Sequence, residues 1–433
     1  MDATLVWAAA ESGAAAVGVV VLVLLLRAQG RSARERARTL SAPSATAEPA
    51  TAEPAAEDAA AAPAPPPVRG GSFPNEPFMR NPAPPADPNP GDPAALIEAY
   101  FAKGWTDGLP VVPPTETAVA AMLAAAQLPA ETVVGTIPGR NVRVTANRVA
   151  VNAVMAGCLP AYFPVVVAAI RGLTHPAFAY HGPASSTGGS AMVLIVSGPV
   201  AGELGINAAD NAFGQGWRPN ATIGRAVRLT MMNAMSTKPG LLDRATLGNP
   251  GKYAFCFAEN STYRPWEAFH VSRGFRDGQS AVTVYASNSL SQVYNQLATA
   301  PEALLLCFSD ALCHLGVSNI LGFSQSLVVF AGEHSEILRN AGWTRRQVQA
   351  FLAGHARRSV ADFKRAARLP GEIAASDETT WRYLFQSPED LLIVCAGGQA
   401  GSWSACLPGW GKKWTRAVTV EIVTGTMEAQ VAS

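Results

Sequence analysis

The sequence predicts an α/β or α+β fold, with mixed sheet layers flanked by helices and preceded by one N-terminal transmembrane helix. Apolar runs typical of strands alternate along the chain with longer segments of helical periodicity. The 38 glycines and 33 prolines exceed the needs of a helical bundle and indicate many turns. The 33 Lys and Arg nearly balance 32 Asp and Glu, which argues against a nucleic-acid-binding protein and against a disordered polyelectrolyte.

The first 38 residues read as a membrane anchor with a basic flank. Residues 3–26 are apolar enough to span a bilayer as a helix of about 36 Å. A cleaved signal peptide is the alternative, but the charges before the main apolar run are Asp2 and Glu11, and both are negative. Five arginines follow within residues 27–38, which predicts a single-pass protein of the cell membrane with its N-terminus outside.

Two further regions follow the anchor. Residues 39–93 are rich in Ala, Pro and Glu and predict a disordered, extended tether. Residues 94–433 carry no charge runs and are expected to form a globular α/β domain in the cytoplasm. Six cysteines without short paired spacings agree with a reducing compartment.

The elements of this domain follow from hydrophobic periodicity. Helices are predicted at 115–127, 144–156, 164–173, 221–235, 302–314 and 344–367. Strands are predicted at Ala191–Val196, Tyr253–Ala258, Ala281–Ala286, Leu327–Phe330, Leu391–Cys395 and Ala417–Ile422.

Three of the predicted strands end alike, in small residues. They lie within SAMVLIVSGP (190–199), SAVTVYASNS (280–289) and EDLLIVCAGG (389–398). This likeness suggests pseudo-repeats whose loops converge on one crevice, with ordinary strand ends as the alternative.

A glycine-rich loop follows the last of these strands and contains Gly397, Gly398, Gly401 and Ser402. Backbone amides in such a loop can hold an anionic group. The spacing is not that of a dinucleotide-binding motif, and tight turns with close packing are the structural alternative.

A second candidate anion site lies at the start of the helix predicted from 221, with Asn220 as its cap. Arg218 and Arg225 lie near the helix amides there, and the combination suits a carboxylate or phosphate. The alternative is a set of salt bridges to Asp210 or Asp243.

Candidate acid and base residues follow the strand that ends at Ala258. Glu259 is delivered by a buried strand to a loop that also contains His270, and burial raises the pKa of a carboxyl group. The alternative for Glu259 is a capping role or an ion pair with Arg264 or Arg273.

Cys158 is the cysteine singled out as a nucleophile, because Gly157 and Pro160 interrupt the helical pattern around it. We expect it to be the one exposed and functionally necessary cysteine, with its pKa lowered by the next helix. The alternative is a small core residue.

His175 and His181 flank the segment PAFAY and are candidate metal ligands or bases. With Glu259 they would complete a metal site, although a histidine in a loop is more often structural.

Several segments together carry a family resemblance: WTDGLPVVPPT (105–115), NAVMAGCLPAYFPVVVAAI (152–170), NATIGRAVRL (220–229), PGKYAFCFAEN (250–260) and GG-Q-AG with PGW (397–410). Over about residues 94–425 the chain resembles a bacterial family of large proteins associated with small UGSC or CGSC (seleno)proteins. The resemblance implies a small thiol or selenol redox protein as partner, with Cys158, Glu259 and the loop 397–401 at motif positions. The chain has no CGSC motif itself, and its anchor and tether look like additions.

These observations predict an enzyme for a small, anionic organic molecule that uses thiol-dependent redox or bond-cleaving chemistry. Cys158 would be the nucleophile, Glu259 or His270 would move protons, and the glycine loop would hold the anion. One alternative is a metal-dependent hydrolase or lyase with His175, His181 and Glu259 as ligands. Another is a non-catalytic, membrane-tethered docking subunit for a soluble redox partner. The cofactor is not indicated, and a homo-oligomer is left open.

Overall fold

A computed structural model describes residues 92–316, 323–411 and 414–424 of the chain. The predicted anchor and nearly all of the predicted tether lie outside these residues. Among the helices that are described, none has both the length and the apolar character needed to cross a membrane.

The described residues form a mixed α/β structure, as the sequence predicts. Its α-helices are α1 (Pro93–Ala102), α2 (Glu116–Ala125), α3 (Ala146–Met155), α4 (Phe163–Thr174), α5 (His181–Ser185), α6 (Val200–Glu203), α7 (Arg218–Asn233), α8 (Phe269–Ser272), α9 (Pro301–Leu312), α10 (Gly332–Asn340), α11 (Arg345–His355) and α12 (Val360–Arg365). Its strands are β1 (Val133–Ile137), β2 (Val142–Thr145), β3 (Ala191–Ser197), β4 (Cys256–Ala258), β5 (Ala281–Ser287), β6 (Ser291–Tyr294), β7 (Ser326–Phe330), β8 (Arg357–Ser359), β9 (Trp381–Tyr383), β10 (Leu391–Cys395), β11 (Trp403–Pro408) and β12 (Val418–Glu421).

Two four-stranded mixed sheets form the centre of the fold, in the orders β4-β3-β5-β12 and β10-β7-β11-β6. In the first sheet, β4 runs parallel to β3, while β3, β5 and β12 alternate in direction. In the second, β10 runs parallel to β7, while β7, β11 and β6 alternate. Two antiparallel pairs, β1 with β2 and β8 with β9, lie outside these sheets.

The two large sheets pack face to face, and helices cover their outer faces. Alternate residues of β3 show this: Val193 and Ile195 share an apolar cluster with Leu327 and Val329 of the other sheet. The intervening Leu194 belongs instead to the cluster formed with α3, α4 and α7. The corresponding outer face of the second sheet packs against α9 and α11. The result is a four-layer α/β/β/α arrangement, in which central strands are buried on both faces.

The two sheets are built with the same topology. β3, β4 and β5 occupy the places that β7, β10 and β11 occupy in the second sheet. Helix α4 packs on β5 and β12 as α9 packs on β11 and β6. The chain leaving β5 enters the second sheet as β6, and the chain leaving β11 enters the first as β12. These two exits meet in an antiparallel bridge between Ser287 and Gly409.

This topology corrects the proposed equivalence of three strands. Because β5 is antiparallel to β3, its exit lies at the opposite end of the sheet from the exit of β3. The strand equivalent to β3 by topology is β7, whereas β10 matches β4. The small residues after β5 therefore do not converge with those after β3 and β10.

Some predicted boundaries also differ. The segment 403–408, which is not among the predicted strands, is the central strand β11, because β6 and β7 pair with it on both sides. The predicted helix 344–367 is interrupted by β8. Helix α7 begins at Arg218, so Asn220 lies inside it and is not its cap.

Candidate functional site

The carboxyl ends of the two parallel strand pairs meet at one end of the molecule. The backbone N–H of Asn260, after β4, donates to the carbonyl oxygen of Cys395, at the end of β10, over 2.7 Å. The N–H of Gly397 donates to the carbonyl of Ala208 over 2.9 Å. Loops after parallel strands are free to carry functional side chains, so this end is the natural place for a site.

A cleft of about 710 Å³ opens there, beside the ends of β3 and β4. Its lining includes Asn207, Trp217, Glu259, Arg264 and His270. A volume of this size suits a small organic molecule. The structure thus brings Glu259 and His270 to one cleft, as the sequence predicts.

Glu259 is held in place by backbone hydrogen bonds on two sides. Its own N–H donates to the carbonyl of Val196 over 2.9 Å. Its two carboxylate oxygens accept from the N–H of Phe269 at 3.0 and 2.8 Å, and Nη1 of Arg264 lies 3.4 Å from Oε2. Burial raises the pKa of Glu259, and the Phe269 amide and Arg264 only partly oppose this rise.

His270 follows Phe269 in α8 and is 1% exposed. Neither of its ring nitrogens has a hydrogen bond of normal geometry within the described structure. Burial lowers the pKa of the imidazole, so the neutral form is favoured. The backbone of Arg276 lies close enough to the ring to oppose this fall in pKa in part, so the imidazole has at most one weak backbone contact.

Together, these environments bring two proton-binding groups toward each other in pKa. Burial shifts Glu259 upward from 4.5 and His270 downward from 6.5. Burial thus favours the neutral form of each group, a protonated carboxyl group that can donate a proton and an imidazole that can accept one. The arrangement can therefore supply a general acid and a general base.

The part of the cleft wall at Asn207 is fixed by a pair of buried asparagines. The side-chain oxygen of Asn220 accepts from the N–H of Asn207 over 2.8 Å, and its side-chain nitrogen donates to the Asn207 carbonyl over 3.1 Å. Asn220 therefore anchors the loop before α7 from within the helix. Asn207 was not identified from sequence, because it comes from a loop distant along the chain and no local pattern marks it.

The prediction of an exposed Cys158 is wrong. Cys158 is 7% exposed and does not line the cleft. Burial raises the pKa of its thiol to about 12, while the Thr222 hydroxyl and the Arg218 charge only partly offset this rise. The elbow itself is present, with Gly157 at a φ of +86° and a turn at Pro160–Tyr162, but helix α7 packs over it.

The glycine loop already holds an anion, and that anion belongs to the chain. The carboxylate of Glu333 accepts from the Ser402 hydroxyl and from the amides of Gly401 and Ser402, which lower its pKa. The N–H of Gly397 donates to the carbonyl of Ala208, and the carbonyl of Gly398 accepts from the N–H of Gly332 over 3.1 Å. The amides of Gly397, Gly401 and Ser402 are thus satisfied internally.

The two arginines proposed for anion binding also have partners within the protein. Arg218 donates twice to the carbonyl of Gly157, at 3.2 and 2.9 Å. Arg225 forms a two-pronged pair with Asp107, at 2.9 and 2.7 Å, and also donates to the carbonyl of Pro110. Neither guanidinium lines the cleft. Their contacts hold neighbouring segments together.

The proposed metal ligands are not assembled. His175 and His181 line a separate pocket, whereas Glu259 lines the cleft. Within the part of the chain that is described, no group of three His, Cys, Asp or Glu side chains is placed to hold a metal ion.

Comparison with known proteins adds no family to this picture. No protein-family model matches the chain, and no curated protein matches it either.

Proposed function

We propose that the protein is an enzyme that cleaves a bond in a small polar molecule bound in the cleft at the ends of β3 and β4. Glu259 and His270 act as the general acid and base. The carrying observation is that Glu259 and His270 line the same cleft, while burial raises the pKa of the carboxyl group and lowers that of the imidazole. A neutral imidazole of this kind can accept a proton from a bound molecule.

Arg264 supports an anionic group in the substrate. It lines the same cleft, and its contact with Glu259 is long, at 3.4 Å. When Glu259 takes up a proton, its attraction for Arg264 weakens. The guanidinium is then available for a carboxylate of the bound molecule.

The expected thiol nucleophile is not part of this proposal, because Cys158 is buried away from the cleft with a pKa of about 12. The metal-dependent alternative is not supported, because its proposed ligands are not together: His175 and His181 line another pocket than Glu259.

We also propose a cellular location and a partner for the enzyme, and both rest on the sequence alone. Residues 3–26 would anchor the enzyme in the cell membrane with its domain in the cytoplasm, and residues 39–93 would tether it. A small thiol or selenol protein would act as its partner.

The test uses the full-length chain in mild detergent, incubated with a mixture of small carboxylates, amides and esters, with consumption followed by mass spectrometry. We expect a compound that the wild type consumes, and a loss of at least about 100-fold in Glu259→Gln and His270→Gln. His355→Gln, at an exposed histidine, and Cys158→Ala should retain the rate. Wild-type rates in both cleft variants would refute the proposal.

A further inference from the structure

A second pocket, of about 480 Å³, lies at the opposite end of the sheets from the cleft. The N–H of Trp410, just after β11, donates to the carbonyl of Ala286 near the end of β5, over 2.8 Å. Since β5 is antiparallel to β3, this end is the one where β3 begins. The pocket is lined in part by Arg140, Tyr180, Gly182, Trp410 and Thr415.

Arg140 brings a positive charge into this pocket without a counter-charge. It lies in the turn between β1 and β2, and its Nη2 donates to the carbonyl of Met235. Its Nη1 is buried and has no hydrogen-bond partner. Among the described residues, no carboxylate forms an ion pair with it, and burial lowers its pKa. An unpaired cation in such a place is costly, so an anion bound there would be stabilised.

Thr415 lines the same pocket and carries a second unsatisfied group. The residue is 8% exposed, and its hydroxyl oxygen is buried with no partner in the described structure. Arg140 and Thr415 therefore offer an N–H and an O–H donor. Donors of these two kinds are the partners that carboxylate oxygens accept from.

Part of the remaining pocket wall is aromatic, with Tyr180 and Trp410 beside aliphatic residues such as Ile137 and Ala179. A Cβ atom at Gly182 would lie 2.7 Å from the Trp410 ring, so the absence of a side chain at Gly182 allows the indole to lie against the backbone. The ring of Tyr180 has its centroid 5.9 Å from the Arg140 guanidinium carbon. Flat apolar walls beside a cation favour a flat apolar ligand that carries a negative charge.

We propose that this pocket binds a small aromatic carboxylate, with its carboxylate at Arg140 and Thr415 and its ring beside Trp410. This site is separate from the cleft of Glu259 and His270, so the two can be tested independently.

Isothermal titration calorimetry with benzoate tests the proposal on the full-length chain, with benzamide and acetate as matched probes. We expect benzoate to bind at one site, and benzamide and acetate to bind at least about tenfold more weakly, since one lacks the charge and the other the ring. Arg140→Gln should weaken benzoate binding by at least about tenfold, while Arg143→Gln, at an exposed residue of β2, should leave it unchanged.

A second variant protects the test against misfolding. Arg140→Lys keeps the charge but loses the planar pair of donors, so it should bind benzoate with intermediate affinity. Circular dichroism checks that each variant is folded. Absence of benzoate binding up to about 10 mM, or equal binding by benzamide or by folded Arg140→Gln, would overturn the proposal.

Discussion

The N–H of Asn260 donates to the carbonyl of Cys395 over 2.7 Å, and this bond joins the ends of β4 and β10 across the two sheets. Asn260 also donates from its side chain to the carbonyl of Ala208 over 3.3 Å. The loops that border the cleft are therefore tied to both sheets. A site held in this way keeps its side chains in fixed positions, which acid–base catalysis requires.

Gly198 and Gly202 both line the cleft but should respond differently to substitution by alanine. Gly198 has a φ of +98°, and an added Cβ would lie 2.2 Å from the carbonyl oxygen of Gln279. We expect Gly198→Ala to lower the free energy of unfolding by at least about 1 kcal/mol. Gly202 lies in α6 with open space at its Cβ position, so Gly202→Ala should be neutral or stabilising by up to about 1 kcal/mol. Urea denaturation of both variants compares them, and equal stabilities would contradict this structure of the cleft.

The pair formed by Asp107 and Arg225 should be structural, not ligand-binding. Burial acts to raise the pKa of Asp107, but hydrogen bonds and the charge of Arg225 outweigh it, so the net shift is downward. Its contribution to stability is therefore present above pH 3.8 and is lost as the pH falls through the lowered pKa. Asp107→Asn should cost about 3–5 kcal/mol, because it leaves the charge of a mostly buried guanidinium without a counter-charge. Acid and thermal denaturation measure the effect, and a neutral outcome would return Arg225 to the list of candidate ligand contacts.

Alkylation should not label Cys158 first, although the sequence analysis predicts Cys158 as the one exposed cysteine. Cys307 is partly exposed, whereas the other five cysteines are buried. Brief treatment of the native protein with iodoacetamide, followed by mass spectrometry, should label Cys307 first and leave Cys158 unlabelled. Rapid labelling of Cys158 would show that the elbow opens and would revive the thiol mechanism.

Glu259→Gln should stabilise the protein at neutral pH while it removes activity. The raised pKa means that the folded protein retains a proton at pH values where the unfolded chain has lost it. The contribution of Glu259 to stability is thus fully present below pH 4.5 and declines as the pH rises through the raised pKa. Glutamine stays neutral and can still accept from Phe269. The melting temperature of the variant should exceed that of the wild type at pH 7, and the difference should disappear below pH 4.5. A lower melting temperature at pH 7 would mean that the carboxylate is stabilising.

Much of the fold could be predicted because its central elements carry strong local patterns. β3, β7 and β10 are continuous apolar runs, and α3 and α4 show clear helical periodicity. β11 could not be recognised, since Trp403–Pro408 follows glycines and ends in proline, and only pairing with β6 and β7 makes it a strand.

The candidate site shows the same division. Glu259 and His270 could be predicted together because they lie near each other in sequence, after one buried strand. Asn207 reaches the cleft only through tertiary structure, and the burial of Cys158 depends on how α7 packs over the elbow. Contacts between segments that are distant along the chain cannot be predicted from local sequence spacing.

The pH titration of the His270 imidazole by NMR tests the central claim most directly, because it requires no knowledge of the substrate. His270→Gln assigns the resonance. We predict a pKa for His270 below 6.5. The stability of the wild type should therefore fall as the pH drops from 6.5 toward this lowered pKa, and it should fall less steeply in His270→Gln. A pKa at or above 6.5 would show a charged or ordinarily solvated imidazole and would contradict its role as a neutral base in the cleft.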